Sequence, residues 1–219
     1  MTNETLALAA TAASLGFIHT IAGPDHYVPF IMIAKARNWP LLKTAFVTFL
    51  CGIGHILSAV LLGIIGLGFG FALSRIEAFD SIRDNIAAWL FIAFGLVYFV
   101  WGIRKAFRNS AHTHFHGHDH AHESKAGGAN ITPWVLFTIF VFGPCEVLIP
   151  LLMYPAARNS LMDAAYVTLI FGAVTITTML GIVMVSMFGF NLLPMGKLER
   201  YTHALAGLAI VVCGVLIII

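Results

Sequence analysis

Gly23-Pro24-Asp25-His26 interrupts an apolar run from Leu6 to Ala34, and Gly143-Pro144-Cys145-Glu146 interrupts another from Ile131 to Ala157. Proline removes a helix hydrogen bond and glycine supplies no side chain, so each tetrapeptide predicts a break in a helix. Each break carries an acid, Asp25 or Glu146, and these are the only two acids expected inside the apolar runs. A charge at membrane depth costs about 2.5–3.5 kcal/mol on insertion scales and marks a functional site by default.

Composition places these breaks in a membrane. Of 219 residues, 59% are hydrophobic and only 10% charged, where a soluble domain carries roughly 25% charged residues. The net charge of +2 gives no basis for nucleic-acid binding. Cys51, Cys145 and Cys213 all lie in apolar runs and form no Cys-x-x-Cys pair or even disulfide framework. The first run has no basic flank before it, unlike a cleaved signal peptide.

Six runs approach or exceed the ~20 residues of one crossing: Leu6–Ala34, Thr44–Ser74, Ile86–Ile103, Ile131–Ala157, Ala164–Met195 and Thr202–Ile219. The expected fold is an all-α integral membrane protein of six transmembrane helices, the first and fourth broken at Gly-Pro. Lys35, Arg37, Lys43, Arg104, Lys105, Arg108, Lys125, Lys197 and Arg200 fall in alternate connections, against Arg75, Arg83 and Arg158 on the other side. The positive-inside rule makes the first group cytoplasmic and both termini external, in the cell (inner) membrane.

The breaks anchor an internal repeat. Pro29 and Ala36-Arg37-Asn38 match Pro150 and Ala157-Arg158-Asn159, Val47-Thr48 and Gly52 match Val167-Thr168 and Gly172, and Gly95 and Gly102 match Gly207 and Gly214. The units are residues 1–105 and 131–219, joined by a His-rich loop over 106–130. Three crossings per unit invert the second relative to the first, and a site is expected where the broken helices meet.

Candidate ligands gather around the breaks. His19 precedes the first break, Asp25 and His26 lie in it, and His55 sits mid-span in Gly52-Ile53-Gly54-His55. Imidazole nitrogen with carboxylate oxygen suits borderline divalent cations. Asp25 and His26 could instead only cap a half-helix begun by Pro24. Cys145 and Glu146 stand in the repeat-equivalent place, as further ligands, as a proton carrier at Glu146, or as structural groups. The counterpart of His55 is Thr175, which is expected to bond its own helix carbonyl. His112, His114, His116, His118, His120 and His122 alternate along the loop as an accessory metal collector. His203 reads as an interfacial residue beside Tyr201 and Arg200.

These features resemble the NicO/NiCoT nickel–cobalt transporters and their urease-accessory-type relatives in the LysE-like superfamily. The resemblance is carried by His19, Pro24 and His26, by the Gly-x-Gly-His around His55, by Gly-Pro-Cys in the fourth run and by the His-rich loop. It implies transport, with efflux favoured, of Ni²⁺ or Co²⁺, or of Zn²⁺, through a midplane site of His19, Asp25, His26, His55, Cys145 and Glu146. The importer signature is replaced here by Gly-Pro-Asp-His. No enzymatic activity, catalytic residue or resident cofactor is expected. Expected partners are the lipid bilayer, the metal as substrate, and a second copy in a homo-oligomer.

Other readings follow from the same residues. Helix N-termini at the breaks favour anions, as in a sulfite or organosulfonate exporter, but no Lys or Arg is expected in any run. An accessory or metal-sensing membrane protein is a further reading. The Pro-Cys break also resembles the CcdA-like membrane thiol redox shuttles, which use one cysteine after each break. Asp25 stands where the first cysteine would be, so the thiol pair would have to be Cys145 with Cys51.

Overall fold

The computed structural model describes residues 3–68, 73–108, 131–143, 145, 147–157, 161–192 and 196–219. The His-rich tract, Pro144 and Glu146 lie outside the described residues. Those described form helices joined by short turns, with no strand among them. Helix α1 (Asn3–Ala22) runs into a 3-10 turn at Pro24–His26 and then α2 (Val28–Ala36). Gly23 sits between them at φ −93°, ψ 94°. The residue before a proline is pushed out of the α region, and here that steric rule ends α1.

Helix α3 spans Leu41–Gly68 and α4 Leu73–Arg108. The fourth run is two short helices, α5 (Thr132–Val141) and α6 (Leu148–Ala157), each 10 residues long. At 1.5 Å per residue each reaches only about 15 Å, half of a bilayer core. Helix α7 (Leu161–Leu192), a 3-10 segment (Gly196–Tyr201) and α8 (Thr202–Ile218) follow. Among the described residues, five stretches are long and apolar enough to cross a membrane: Asn3–Ala22, Leu41–Ile65, Ala78–Arg108, Met162–Phe190 and Glu199–Ile218. The chain is a multi-pass integral membrane protein in a lipid bilayer.

The third span departs from expectation. Its apolar run begins at Ile86, yet α4 begins at Leu73 and carries Asp80, Arg83 and Asp84 into the candidate span. Asp25 and Glu146 are therefore not the only acids there, and Arg83 breaks the expectation of cation-free spans. A hydropathy pattern treats these charges as a loop. Their spacing instead lets Arg83 pair with Asp80 one turn back, with a longer approach of 3.8 Å to Asp84. Paired charges facing the protein interior are tolerated at depth where single ones are not. Asp80 and Asp84 are both buried.

The closest helix contact is α4 against α8. A β-carbon on Gly95 would stand 2.7 Å from the Val211 nitrogen, and one on Gly214 would stand 2.8 Å from the Ala88 carbonyl. Gly102 meets the Ala204 backbone and Gly207 that of Phe99 in the same way. Lipid gives helices no hydrophobic reason to associate, so this small-residue seam supplies van der Waals contact instead. Elsewhere α1 packs on α7, α2 on α7 and α8, α3 on α5, α6 and α7, and α6 on α7. The breaks are thereby held inside the bundle, where irregular backbone is allowed at membrane depth.

Candidate functional site

A helix that stops leaves its last carbonyls without intrahelical donors. At each break a turn carbonyl that already accepts one backbone N–H, that of His26 on Gly23 and that of Gly143 on Phe140, also holds an imidazole. Nδ1 of His26 lies 3.1 Å from the Gly23 carbonyl, and Nδ1 of His55 lies 3.3 Å from the Phe140 carbonyl near the end of α5. A carbonyl only accepts, so in each ring Nδ1 carries the proton and Nε2 keeps its lone pair. Glycine is needed at the first place, and the second is tight for a larger residue. A β-carbon on Gly23 would meet Nδ1 of His26 at 2.6 Å, and one on Gly143 would lie 3.3 Å from Nδ1 of His55.

Three histidines from two spans are brought together this way. The ring centroids of His19 and His26 are 4.7 Å apart, those of His26 and His55 5.1 Å, and those of His19 and His55 6.4 Å. One nitrogen from each ring falls within 4.8 Å of the other two. His26 and His55 are each only 1% exposed. Nε2 of His19, His26 and His55 is buried with no hydrogen-bond partner. An unpaired buried ring nitrogen is costly and unusual, and three together need an explanation.

Asp25 takes a different place. Its Oδ2 lies 3.3 Å from Nδ1 of His26, on the side of the ring away from Nε2. It therefore orients His26 rather than standing among the three nitrogens. A cavity of about 480 Å³ opens beside it, lined by His19, Gly23, Asp25, His26, Asp84 and Val147 among others. Asp84 was not singled out in the sequence because it lay ahead of the apolar run. The spacing of Asp80, Arg83 and Asp84 on one helix face is the signal that could have found it.

The cysteines lie close to this arrangement without joining it. Cys51 and His55 are four residues apart on the same face of α3, and both are buried. Cys51 belongs to the core group that holds Leu136, Ile139 and Phe140 of α5. Cys145, fully buried in the second break, belongs to the group that holds Ile56 and Ala59 of α3. Cys51, Cys145 and Cys213 are all free thiols.

Two remaining expectations meet different outcomes. Thr175 is fully buried, but its hydroxyl has no hydrogen-bond partner, whereas Thr20 and Thr168 bond their own helix carbonyls as expected of such residues. The crowding of Thr175 against Gly16 of α1 accompanies this difference. His203 is held by Tyr98 and Lys105 at 2.9 and 2.8 Å and faces Trp101.

Residues 28–216 match the family described as Cytochrome C biogenesis protein transmembrane region. No curated protein and no solved structure matches the chain. The family match corrects the resemblance to the NicO/NiCoT nickel–cobalt transporters and overturns nickel or cobalt transport as the function. The misreading has a physical source: broken helices, intramembrane histidines and a His-rich loop are features that unrelated chemistries can share. The matched segment contains Cys51, His55 and Cys145 and begins after His19, Asp25 and His26.

Proposed function

Because the chain belongs to the family of cytochrome c biogenesis protein transmembrane regions, we propose that it carries reducing equivalents across the membrane by thiol–disulfide exchange. Cys145 and Cys51 are the working pair. The thiolate of Cys145 attacks a disulfide of a partner on one side of the membrane and forms a mixed disulfide. The thiolate of Cys51 then attacks the Cys145 sulfur, releasing the partner with both thiols reduced. The Cys51–Cys145 disulfide is returned to two thiols by a dithiol donor on the other side. Each cycle moves two electrons, with two protons accompanying them.

The observation that carries this reading is the family match over 28–216, which includes a buried cysteine in the second helix break. The two thiols sit in separate core groups, so pairing them requires the second break to rearrange. Cys51 shares its core group with the end of α5, and Cys145 shares its group with α3. A buried thiol reacts only when it is uncovered, so opening of the second break is part of the cycle.

The same reading takes the two halves as inverted three-span repeats. Helix α1 packs on α7 as α5 packs on α3, and α2 packs on α7 as α6 packs on α3. Helices α3 and α7, and α4 and α8, contact each other as pairs. A pseudo-two-fold axis would run between these pairs, which accounts for matched glycines on both sides of the α4–α8 seam.

The test is to trap the mixed disulfide. In a Cys51→Ser variant the resolving thiol is gone, so a partner should stay linked to Cys145 and run as a reducible adduct of larger mass. No adduct in Cys51→Ser membranes, under conditions where a control thiol relay is trapped, would sink the reading.

A further inference from the structure

The shuttle chemistry uses sulfur and leaves three buried imidazoles unexplained. We infer that His19, His26 and His55 bind one first-row transition-metal ion through their Nε2 atoms, and that this ion locks the second break and so controls access to Cys145.

The argument begins with the lone pairs. One ring nitrogen of each histidine lies within 4.8 Å of the other two, and the Nε2 of each is buried without a partner. Nitrogens on a tetrahedral ion with bonds of about 2.0–2.1 Å stand roughly 3.4 Å apart. Small side-chain rotations close that gap, because the rings belong to residues rather than to a rigid frame. Each unpaired Nε2 would then gain the partner it lacks. Neutral imidazole suits zinc, copper, nickel and cobalt, and three such ligands leave one position open.

The surroundings are built as metal sites are built. A ligating histidine commonly donates its other ring N–H to a carbonyl or carboxylate, which fixes the tautomer and aims the lone pair. His26 has both kinds of acceptor, the Gly23 carbonyl and Asp25, and His55 has the Phe140 carbonyl. A divalent ion in the membrane also needs counter-charge. Asp25 provides it beside His26; Asp84 lies in the wall of the same cavity but is already approached by Arg83 at 3.8 Å.

The lock follows from connectivity. His19 and His26 flank the first break, whereas His55 reaches the second break through the Phe140 carbonyl, which also accepts from the Gly143 N–H at 3.1 Å. Cys145 is two residues beyond Gly143. An ion fixing the His55 ring stiffens the Phe140 carbonyl near the end of α5, and with it the Gly143 turn bonded to that carbonyl, two residues before Cys145. The ion is resident and regulatory, with no need to cross the membrane.

The lock rests on the thiol reading only for its purpose. Both readouts below need no redox partner, so failure to trap a mixed disulfide would leave them standing. The full chain is purified with His112, His114, His116, His118, His120 and His122 changed to Asn, so that the loop holds no zinc. After equilibration with Zn²⁺ and removal of excess, one zinc per chain is expected. His55→Ala and the size-conserving His55→Gln should each lower zinc affinity at least 100-fold, and Asp25→Asn about 10- to 100-fold. Co²⁺ in place of zinc should give the visible bands of a tetrahedral site. Maleimide labelling of Cys145 is then timed with Cys51 and Cys213 changed to Ser. Zinc should slow it at least tenfold, and should have no effect when His55→Gln is added. Zinc below 0.1 per chain in the loop-substituted protein would overturn the site. Labelling that is indifferent to zinc, or slowed equally with His55→Gln, would overturn the lock.

Discussion

At the first break the ring of His26 folds back on the carbonyl of its own turn, Gly23; at the second, the Phe140 carbonyl receives the ring of His55 from another helix. Both breaks thus use a turn carbonyl, already bonded to one backbone N–H, as an imidazole holder. The first break adds a carboxylate, Asp25, beside the ring, and the second adds a buried thiol, Cys145. The family match covers the second break and begins beyond the first. In the proposed account a similar backbone device at each break carries a different chemistry.

The largest effect should separate the cysteines. Cys145→Ser should abolish exchange with a disulfide partner, while Cys213→Ser should leave it unchanged, as read by gel shift after thiol alkylation. Equal loss in both variants would erase the special place given to the second break.

Glycine substitutions compare the two holders directly. Gly23→Ala forces a methyl to within 2.6 Å of the His26 ring and should cost about 1–3 kcal/mol, seen as a lower unfolding midpoint in detergent. Gly143→Ala brings its methyl only to 3.3 Å from His55 and should cost less than about 1.5 kcal/mol. The reverse order would mean that the second break, not the first, is the tighter. The smallest effect belongs to Thr175, which the proposed repeat pairs with His55. Its buried hydroxyl has no hydrogen-bond partner, so Thr175→Val should change stability by no more than about 1 kcal/mol, toward greater stability. A marked loss would reveal a role for that hydroxyl.

Much of the architecture was legible because it follows from strong local rules. Gly-Pro ends a helix wherever it falls, and long apolar runs have one stable home. The union of His19, His26 and His55 was foreshadowed by their positions around the break and mid-span. What escaped was non-local. Asp25 points to the outer side of the His26 ring, which only the folded turn decides. Asp80, Arg83 and Asp84 looked like a loop because hydropathy counts charges singly and cannot see that they pair within a helix. The substrate class was misjudged because imidazoles in a membrane drew the reading toward the metal and away from the sulfur.

The most direct test of the thiol relay is whether Cys51 and Cys145 become joined. Membranes are treated with an oxidised disulfide partner or a mild chemical oxidant, alkylated and digested without reductant, and the peptides identified by mass spectrometry. The account predicts a Cys51–Cys145 linked peptide that disappears on reduction and never forms in Cys145→Ser. If both cysteines remain singly alkylated, or if Cys145 pairs only with Cys213, the relay proposed here is contradicted.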